Sequence, residues 1–149
     1  MLLVYPPPNF WVLHIDGSAL PNPGRMAVGA VLTGPNGSRH ELGYHLPGIG
    51  CNNEAELRAL LAGIEMAYRQ GARHVRIYTD SQWLVAQLSA DHALHKSARL
   101  TLRLSDWLQT AQRALQGWQQ VEWRWIPRRC NAEADALARA VLTRPSAAS

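Results

Sequence analysis

Four separated stretches of the 149-residue chain place carboxylates where an apolar segment gives way to a turn or opens a helix. Asp16 ends the run FWVLHI and Asp80 ends the run RIYT, while NNEAEL and NAEADALA each offer two acids. Two carboxylates about 4 Å apart repel by roughly 4 kcal/mol at an effective dielectric constant of ~20, unless a cation lies between them. If the fold gathers these acids, the chemistry that they predict is the binding of a divalent metal ion.

The elements that must position these acids are readable from the spacing of apolar residues. Apolar runs bounded by turn residues predict strands at residues 10–16, 27–33, 39–46, 74–79 and 120–126. Apolar residues three or four apart predict helices at residues 53–70, 81–88, 97–115 and 131–142. An extended lead at residues 1–9 and a flexible tail at residues 144–149 would complete a single domain, 1–149.

This order of elements predicts an α/β fold built on a five-stranded mixed sheet, with three antiparallel strands, then parallel ones, and helices on both faces. Strand ends and helix starts meet at one side of such a sheet, so the acids would converge there. We expect Asp16 to be exposed at the tip of its strand, and the proline-rich residues 17–25 to form a turn. The amphipathic setting of the later tryptophans favours core or sheet-face positions over stacking on bases: Trp107, Trp118, Trp123 and Trp125.

Each acid also has an ordinary structural explanation. Asp16 precedes a glycine, which is a common turn pair, and Asp80 stands where a helix N-cap would. An acid in the first turn of the last helix interacts favourably with the helix dipole without binding anything. Helical periodicity does not choose between Glu54 and Glu56, and Glu56 can close a capping box with Asn53.

Composition favours a polyanionic partner and gives no sign of export or membrane insertion. The formal net charge is +4 and the sequence pI is near 9.6, which suits nucleic acid. Two cysteines are too few for a disulfide framework, and the chain shows neither a signal peptide nor an apolar run of ~20 residues. We expect a reduced, cytoplasmic, monomeric protein that does not bind membranes.

Together, and in this order, the segments IDGSALPNPG, CNNEAELRALLAGIE, YTDSQ and WIPRRCNAEADALAR closely resemble the ribonuclease H family of type 1. The resemblance spans residues 10–142 and rests on four separate motifs. It implies a sheet with the first strand central and Mg²⁺ or Mn²⁺ at the strand tips, with two ions per site when substrate is bound. The implied reaction is hydrolysis of the RNA strand of an RNA–DNA hybrid, which leaves 5′-phosphate and 3′-hydroxyl ends.

Matched residue by residue, the resemblance leaves Glu54 and Glu133 aside. It assigns the metal ligands and catalytic acids to Asp16, Glu56, Asp80 and Asp135. It assigns contacts with the substrate strands to Gly17, Ser18, Asn22, Cys51, Asn52, Asn53, Gln82, Arg128 and Asn131. Short amides and turn amides suit this role because they can pair with ribose 2′-hydroxyls, which distinguish RNA from DNA.

The sequence departs from the best-known bacterial members in two places and is more similar to archaeal and plant-type members. WIPRRCNAEAD joins the last strand directly to the last helix, without a histidine-bearing loop, which leaves Arg128 or Arg129 as a candidate to replace that histidine. Residues 90–104 lack a basic, tryptophan-rich handle, so we expect hybrid binding to be weaker and less sensitive to salt.

Two other functions remain compatible with the motifs. One is a hybrid-binding module that has lost catalysis, although keeping four mutually repelling acids without metal would be costly. The other is a nuclease of the same fold that cuts another nucleic acid, although Asn52, Asn53 and the PNPG turn favour ribose recognition.

Overall fold

The computed structural model describes residues 8–89 and 101–143. Most of the predicted lead, the predicted tail and the segment 90–100 lie outside the described residues. The expected absence of a basic handle at residues 90–104 therefore concerns mostly residues that are not described. The helix predicted to start at residue 97 begins at Leu102, after its N-cap Thr101.

A five-stranded mixed sheet forms the centre of the fold, as the sequence predicts. Its order is β3-β2-β1-β4-β5, with β1–β2 and β2–β3 antiparallel and β1–β4 and β4–β5 parallel. The strands are β1 (Trp11–Leu20), β2 (Gly24–Thr33), β3 (Arg39–Gly50), β4 (His74–Thr79) and β5 (Gln120–Trp125). The first strand is thus the central one.

The prediction that the first strand ends at Asp16 is wrong. β1 continues to Leu20, and residues 17–20 pair in register with residues 28–25 of β2, so the turn shrinks to three residues. These residues are small or apolar, and Gly17 in particular fits where a side chain would not. Asp16 is consequently not an exposed strand tip: it is 5% exposed, just beyond His14, where the described pairing of β1 with β4 ends.

Within the described residues, four helices flank the sheet. They are α1 (Asn52–Arg69), α2 (Gln82–Leu88), α3 (Leu102–Gln116) and α4 (Ala132–Thr143), and a 3₁₀ turn (Arg128–Cys130) precedes α4. Oxygens of Ser81 and Thr101 cap α2 and α3 by accepting hydrogen bonds from backbone N–H groups three residues on. Among the helices of the described residues, none is long and apolar enough to span a membrane.

The main core lies between the sheet and α1, where Leu13, Ile15, Leu57, Leu60 and Ile77 are fully buried. α4 packs against the opposite face through Ala138, Val141 and Leu142. Glycine permits this contact: a Cβ at Gly29 would lie 2.3 Å from the carbonyl oxygen of Ala134. Since Gly29 pairs with Asp16 in the sheet, this close approach brings the first turn of α4 beside Asp16.

Candidate active site

Three of the four predicted acids meet at the point where β4 ends beside the central strand. Asp16 comes from β1, Glu56 from the first turns of α1, and Asp80 from the residue after β4. One carboxylate oxygen from each lies within 4.8 Å of the others. Asp16 and Glu56 are buried, at 5% and 7% exposure, and Asp80 is half-buried.

A backbone contact between β1 and α1 selects Glu56 rather than Glu54. The Gly17 N–H donates to Oε1 of Glu56 at 2.9 Å, which turns that carboxylate toward Asp16. A Cβ at Gly17 would lie 2.1 Å from the carbonyl oxygen of Ala55, so the helix reaches β1 only because this residue is glycine. The capping box of Glu56 with Asn53 does not form.

Glu54 points into a separate ion-pair cluster. Its Oε1 lies 2.6 Å from Nε of Arg103 on α3, and its Oε2 accepts a hydrogen bond from Arg58 at 3.2 Å. Sγ of Cys51, the N-cap residue of α1, accepts a hydrogen bond from the Glu54 N–H at 3.5 Å. Glu54 therefore ties α1 to α3 and contributes nothing to the acidic triad.

Asp80 is freed from helix capping by its neighbour. Oγ of Ser81 accepts from the Leu84 N–H at 3.0 Å, which is the cap that Asp80 would otherwise provide. The Asp80 carbonyl accepts a hydrogen bond from Nε1 of Trp125 at 3.1 Å, and its Oδ2 lies 3.4 Å from Nδ2 of Asn131. Trp125 thus holds the backbone of Asp80, and Asn131 contacts its carboxylate.

Asp135 lies at the rim of the site, outside the triad. It stands in the first turn of α4, where its Oδ2 is 3.1 Å from Nε of Arg139, four residues on. Its side chain also raises the pKa of Asp16, through hydrogen bonding and through its charge. Asp135 therefore approaches Asp16 from α4, and its own carboxylate is paired with Arg139.

The electrostatics of the triad are unfavourable without a cation. Burial, followed by repulsion from Asp80 and the contact with Asp135, raises the pKa of Asp16 to about 8. Burial and the Asp16 charge also raise the pKa of Glu56 well above its usual value, against the opposing hydrogen bond from the Gly17 N–H. Clustered oxygen donors that resist ionisation on their own suit a hard divalent ion, so the residues present fit Mg²⁺ or Mn²⁺.

A cavity of about 380 Å³ opens over these acids. Asp16, Glu56 and Asp135 lie on its acidic side, and Arg128 and Arg139 add two guanidinium groups. The positive charge of Arg128 partly offsets the raised pKa of both Asp16 and Glu56. An acidic centre bordered by cations is what a phosphodiester approaching bound metal would require.

Comparison with known proteins assigns the family. The family described as "Reverse transcriptase-like" matches residues 14–141. A ribonuclease H from Idiomarina loihiensis is 32% identical over 149 aligned residues, which cover 89% of this chain and 87% of that protein. The chain belongs to the type 1 ribonuclease H family. Its five-stranded sheet and four helices are accordingly a ribonuclease H fold.

Solved ribonuclease H structures agree with this assignment. RNase H1 from Halobacterium salinarum superimposes with a TM-score of 0.78 at 32% identity, covering 89% of this chain and 96% of that one. LC11-RNase H1 in complex with an RNA/DNA hybrid gives 0.74 at 25% identity, covering 88% and 95%. The "Bifunctional protein Rv2228c" of Mycobacterium tuberculosis is 30% identical over 128 residues, 85% of this chain, and the chain spans only 34% of that protein's length.

The residues predicted to contact substrate fall into two groups in this ribonuclease H fold. Gly17, Ser18, Asn52 and Arg128 line the cavity. Asn22, Cys51, Asn53, Gln82 and Asn131 are not among its lining residues. Gln82 is exposed at the start of α2, whereas Asn131 is 1% exposed and has protein partners.

A chain of hydrogen bonds ties the turn between β1 and β2, which carries Asn22, to Asn52 at the start of α1. Oδ1 of Asn22 accepts from the Asn52 N–H at 3.0 Å, and Oδ1 of Asn52 accepts from the Ala19 N–H at 2.8 Å. The amide of Asn52 is therefore oriented with its oxygen toward β1. The NH₂ group of Asn52 is therefore the part of the side chain that can donate to a ligand.

Sequence reasoning assigned no role at the site to two residues that touch the acids. Arg139 pairs with Asp135, and its spacing of four residues on a helix could have revealed it. Trp125 is 46% exposed and its Nε1 donates to the Asp80 carbonyl. No sequence pattern predicts this contact.

Proposed function

We propose that the chain is a metal-dependent endoribonuclease that hydrolyses the RNA strand of RNA–DNA hybrids and leaves 5′-phosphate and 3′-hydroxyl ends. The observation that carries the proposal is the meeting of Asp16, Glu56 and Asp80 within 4.8 Å. These acids come from three distant parts of the chain and are held together against their own repulsion.

Asp16, Glu56, Asp80 and Asp135 would hold Mg²⁺ or Mn²⁺, two ions per site when substrate is bound. Bound divalent ions would supply an activated water and neutralise the charge that develops on the leaving oxygen. Asp16 is the natural shared ligand, because the central strand places it between Glu56, Asp80 and Asp135. Its raised pKa means that loading the site releases protons near neutral pH.

The chain's own cations and amides would bind and orient the substrate. Arg128 lines the cavity and is suited to a phosphate near the scissile bond, which makes it the better candidate to replace the absent histidine. Asn52 can offer its NH₂ group to a ribose hydroxyl or a base-edge acceptor, since its oxygen is already engaged by Ala19. Ser18, on the same cavity wall, adds a hydroxyl group.

An RNA–DNA hybrid is the substrate that these groups favour. LC11-RNase H1, a structural neighbour, is known in complex with such a hybrid. Hydrogen-bond donors next to a metal site can read ribose on one strand, whereas they gain nothing from a strand that lacks 2′-hydroxyls. We take a monomer as the active form, because one chain supplies all four acids.

A substrate panel tests the proposal. Labelled RNA–DNA hybrid, duplex RNA, duplex DNA and a DNA duplex with a single ribonucleotide are incubated with the protein and Mg²⁺ or Mn²⁺. We expect cleavage of the RNA strand of the hybrid and none of duplex DNA. Binding of hybrid without cleavage would instead indicate a binding module, and preferred cleavage of another duplex would indicate a nuclease with a different substrate.

A further inference from the structure

Asn131 is buried between the two strands that carry the metal-binding acids. It is 1% exposed, although it stands on the surface connection between the 3₁₀ turn and α4. Its Nδ2 donates to the carbonyl oxygen of Ile15 at 2.8 Å and lies 3.4 Å from Oδ2 of Asp80. Ile15 is the residue before Asp16, so one amide bridges the backbone of one acid and the carboxylate of another.

The Asn131 side chain does not cap the helix that begins beside it, which is the more usual role of an asparagine at this position. Its backbone carbonyl accepts from the Asp135 N–H at 3.1 Å, so Asn131 stands where α4 begins and where an asparagine oxygen normally caps the helix. Within residues 8–89 and 101–143, Oδ1 of Asn131 is the buried side-chain polar atom that lacks a hydrogen-bond partner. An unpartnered buried acceptor destabilises a fold, so this arrangement favours the site at the expense of the helix.

The local backbone holds Asn131 in this position. The Cys130 N–H donates to the Pro127 carbonyl at 2.8 Å, and the Asn131 N–H donates to the Arg128 carbonyl at 2.9 Å. The 3₁₀ turn so formed presents the Arg128 side chain to the cavity and sends the Asn131 side chain inward. The turn therefore directs Arg128 to the cavity and Asn131 to the acids.

From this geometry we propose that Asn131 is a positioning residue for the metal site and not a substrate contact. It fixes the distance between Asp16 and Asp80 by bridging their strands, and it orients the Asp80 carboxylate toward the triad. The proposal rests on the proposed function in one respect, namely that the triad binds a divalent ion. Groups that hold metal ligands in place commonly change metal affinity by about 10–100-fold when removed.

Asn131→Leu tests the proposal, because it keeps the branched shape of the side chain and removes the donor. The readout is Mn²⁺ affinity, measured by calorimetry on the folded protein without nucleic acid. We expect the dissociation constant for Mn²⁺ to rise about 10-fold. The control is Val141→Ala, a buried substitution on α4 that touches none of the acids; it should lower thermal stability and change Mn²⁺ affinity less than 2-fold.

Kinetics separate positioning from substrate contact. In the Asn131→Leu protein the Mg²⁺ concentration for half-maximal hybrid cleavage should rise, while KM for the hybrid at saturating Mg²⁺ should stay within 2-fold of wild type. A raised KM with unchanged Mg²⁺ requirement would overturn the proposal in favour of a substrate contact. Unchanged Mn²⁺ affinity in the folded variant would reduce Asn131 to a purely structural role.

A second variant covers the case in which Asn131→Leu does not fold. Asn131→Ser keeps a donor too short to reach both acceptors, and it should weaken Mn²⁺ binding at least 3-fold; wild-type affinity in this variant would overturn the proposal. The two proposals fail differently. If the wild-type protein itself binds no Mn²⁺, the proposed function fails, whereas equal binding by wild type and variant removes only the role of Asn131.

Discussion

At the scale of single residues, the site is built from carboxylates that disfavour one another. Asp16 and Glu56 are buried beside Asp80, and the raised pKa values of both report the free energy needed to ionise them there. Repulsion of this kind is relieved by a divalent cation or by protonation. The pH dependence of stability without metal is therefore a direct property of the site.

Asp16→Asn should stabilise the metal-free protein at high pH. The pKa of Asp16 is about 8 in the folded state, above its usual value of 3.8, so the folded state binds the proton more tightly and metal-free stability falls as pH rises from about 4 to about 8. At pH 8 in chelator, the variant should unfold roughly 4–8 °C above wild type, equivalent to about 2 kcal/mol. Thermal unfolding by circular dichroism at pH 4 and pH 8 measures the effect.

The control is the same comparison at pH 4, where Asp16 is protonated in the folded state and ionisation of the unfolded state is only about half complete, so the two proteins should differ much less than at pH 8. Saturating Mg²⁺ at pH 8 should reverse the order of stability, because only wild type retains the full set of ligands. Equal unfolding temperatures at pH 8 in chelator would contradict the electrostatic account of the triad.

Arg128→Ala should impair turnover more than Arg129→Ala. Arg128 lines the cavity over the acids, whereas Arg129, its neighbour in the same 3₁₀ turn, is not among the lining residues. Loss of a charge-assisted phosphate contact predicts roughly a 10-fold lower kcat/KM for Arg128→Ala. Steady-state cleavage and single-turnover rates on the hybrid check this, and unchanged turnover in both variants would remove the idea that an arginine replaces the family's histidine.

The choice between the two acids at the start of α1 shows how far the sequence reaches at this scale. Helical periodicity left Glu54 and Glu56 equivalent, and the family motif selected Glu56. The structure supplies the physical reason: the Gly17 N–H holds Glu56 toward Asp16, while Arg58 and Arg103 hold Glu54 toward α3. Gly17 and Arg103 lie 39 and 49 residues from the acids they hold, so no local pattern could have identified these two partners.

At the scale of elements, two glycines let helices approach the central strands closely enough to bring the acids together. Gly17 admits the start of α1, and Gly29 admits the start of α4. Each contact is a backbone approach that a single Cβ would block. The geometry of the site therefore depends on residues that carry no functional group.

Gly17→Ala should destabilise the fold and separate Glu56 from Asp16. The new Cβ would lie 2.1 Å from the Ala55 carbonyl oxygen, so β1 and α1 must move apart. We expect a loss of about 2–3 kcal/mol of unfolding free energy and a loss of Mn²⁺ affinity. Chemical denaturation and calorimetry measure the two effects.

Gly117→Ala is the matched control, because a Cβ there would lie 3.8 Å from its nearest contact, the Ala114 carbonyl oxygen. It should leave both stability and Mn²⁺ affinity nearly unchanged. If Gly17→Ala behaves in the same way, the close packing of α1 against β1 does not hold the triad together.

Element types were predictable from periodicity, and element boundaries were less so. Both ends of the strand His74–Thr79 are predicted correctly, because Gly71, Ala72 and Arg73 precede it and Asp80 follows it. The end of β1 was misplaced, because Gly17 and the prolines indicate a turn locally, whereas pairing with β2 keeps residues 17–20 extended. The 3₁₀ turn Arg128–Cys130 was missed, since three residues carry too little pattern to reveal it.

At the scale of the whole molecule, net charge and its placement govern how a nucleic acid would bind. The chain carries 15 Lys and Arg residues against 11 Asp and Glu, a net charge of +4. At the cavity the described cations are Arg128 and Arg139, and the latter is already paired with Asp135. Few cations at the site predict modest electrostatic affinity.

Hybrid affinity should depend only moderately on salt. About four phosphate contacts give a slope of log K against log[salt] near −3.6. Fluorescence anisotropy of labelled hybrid with the Asp80→Asn protein, between 50 and 300 mM salt, measures this slope without cleavage. A slope beyond about −7 would require roughly twice as many contacts and would contradict the expected absence of a basic handle.

The most direct test of the metal-dependent site is hybrid cleavage by wild type, Asp80→Asn and Asp106→Asn, in chelator and with Mg²⁺ or Mn²⁺ restored. Asp106 is exposed on α3 and serves as the matched control. Wild type and Asp106→Asn should cut the RNA strand only when a divalent ion is present. Asp80→Asn should remain folded and cut at least ~10³-fold more slowly, which corresponds to about 4 kcal/mol. Cleavage that persists in chelator, full activity of Asp80→Asn, or a pure wild-type protein that leaves hybrids uncut with either ion would contradict the account.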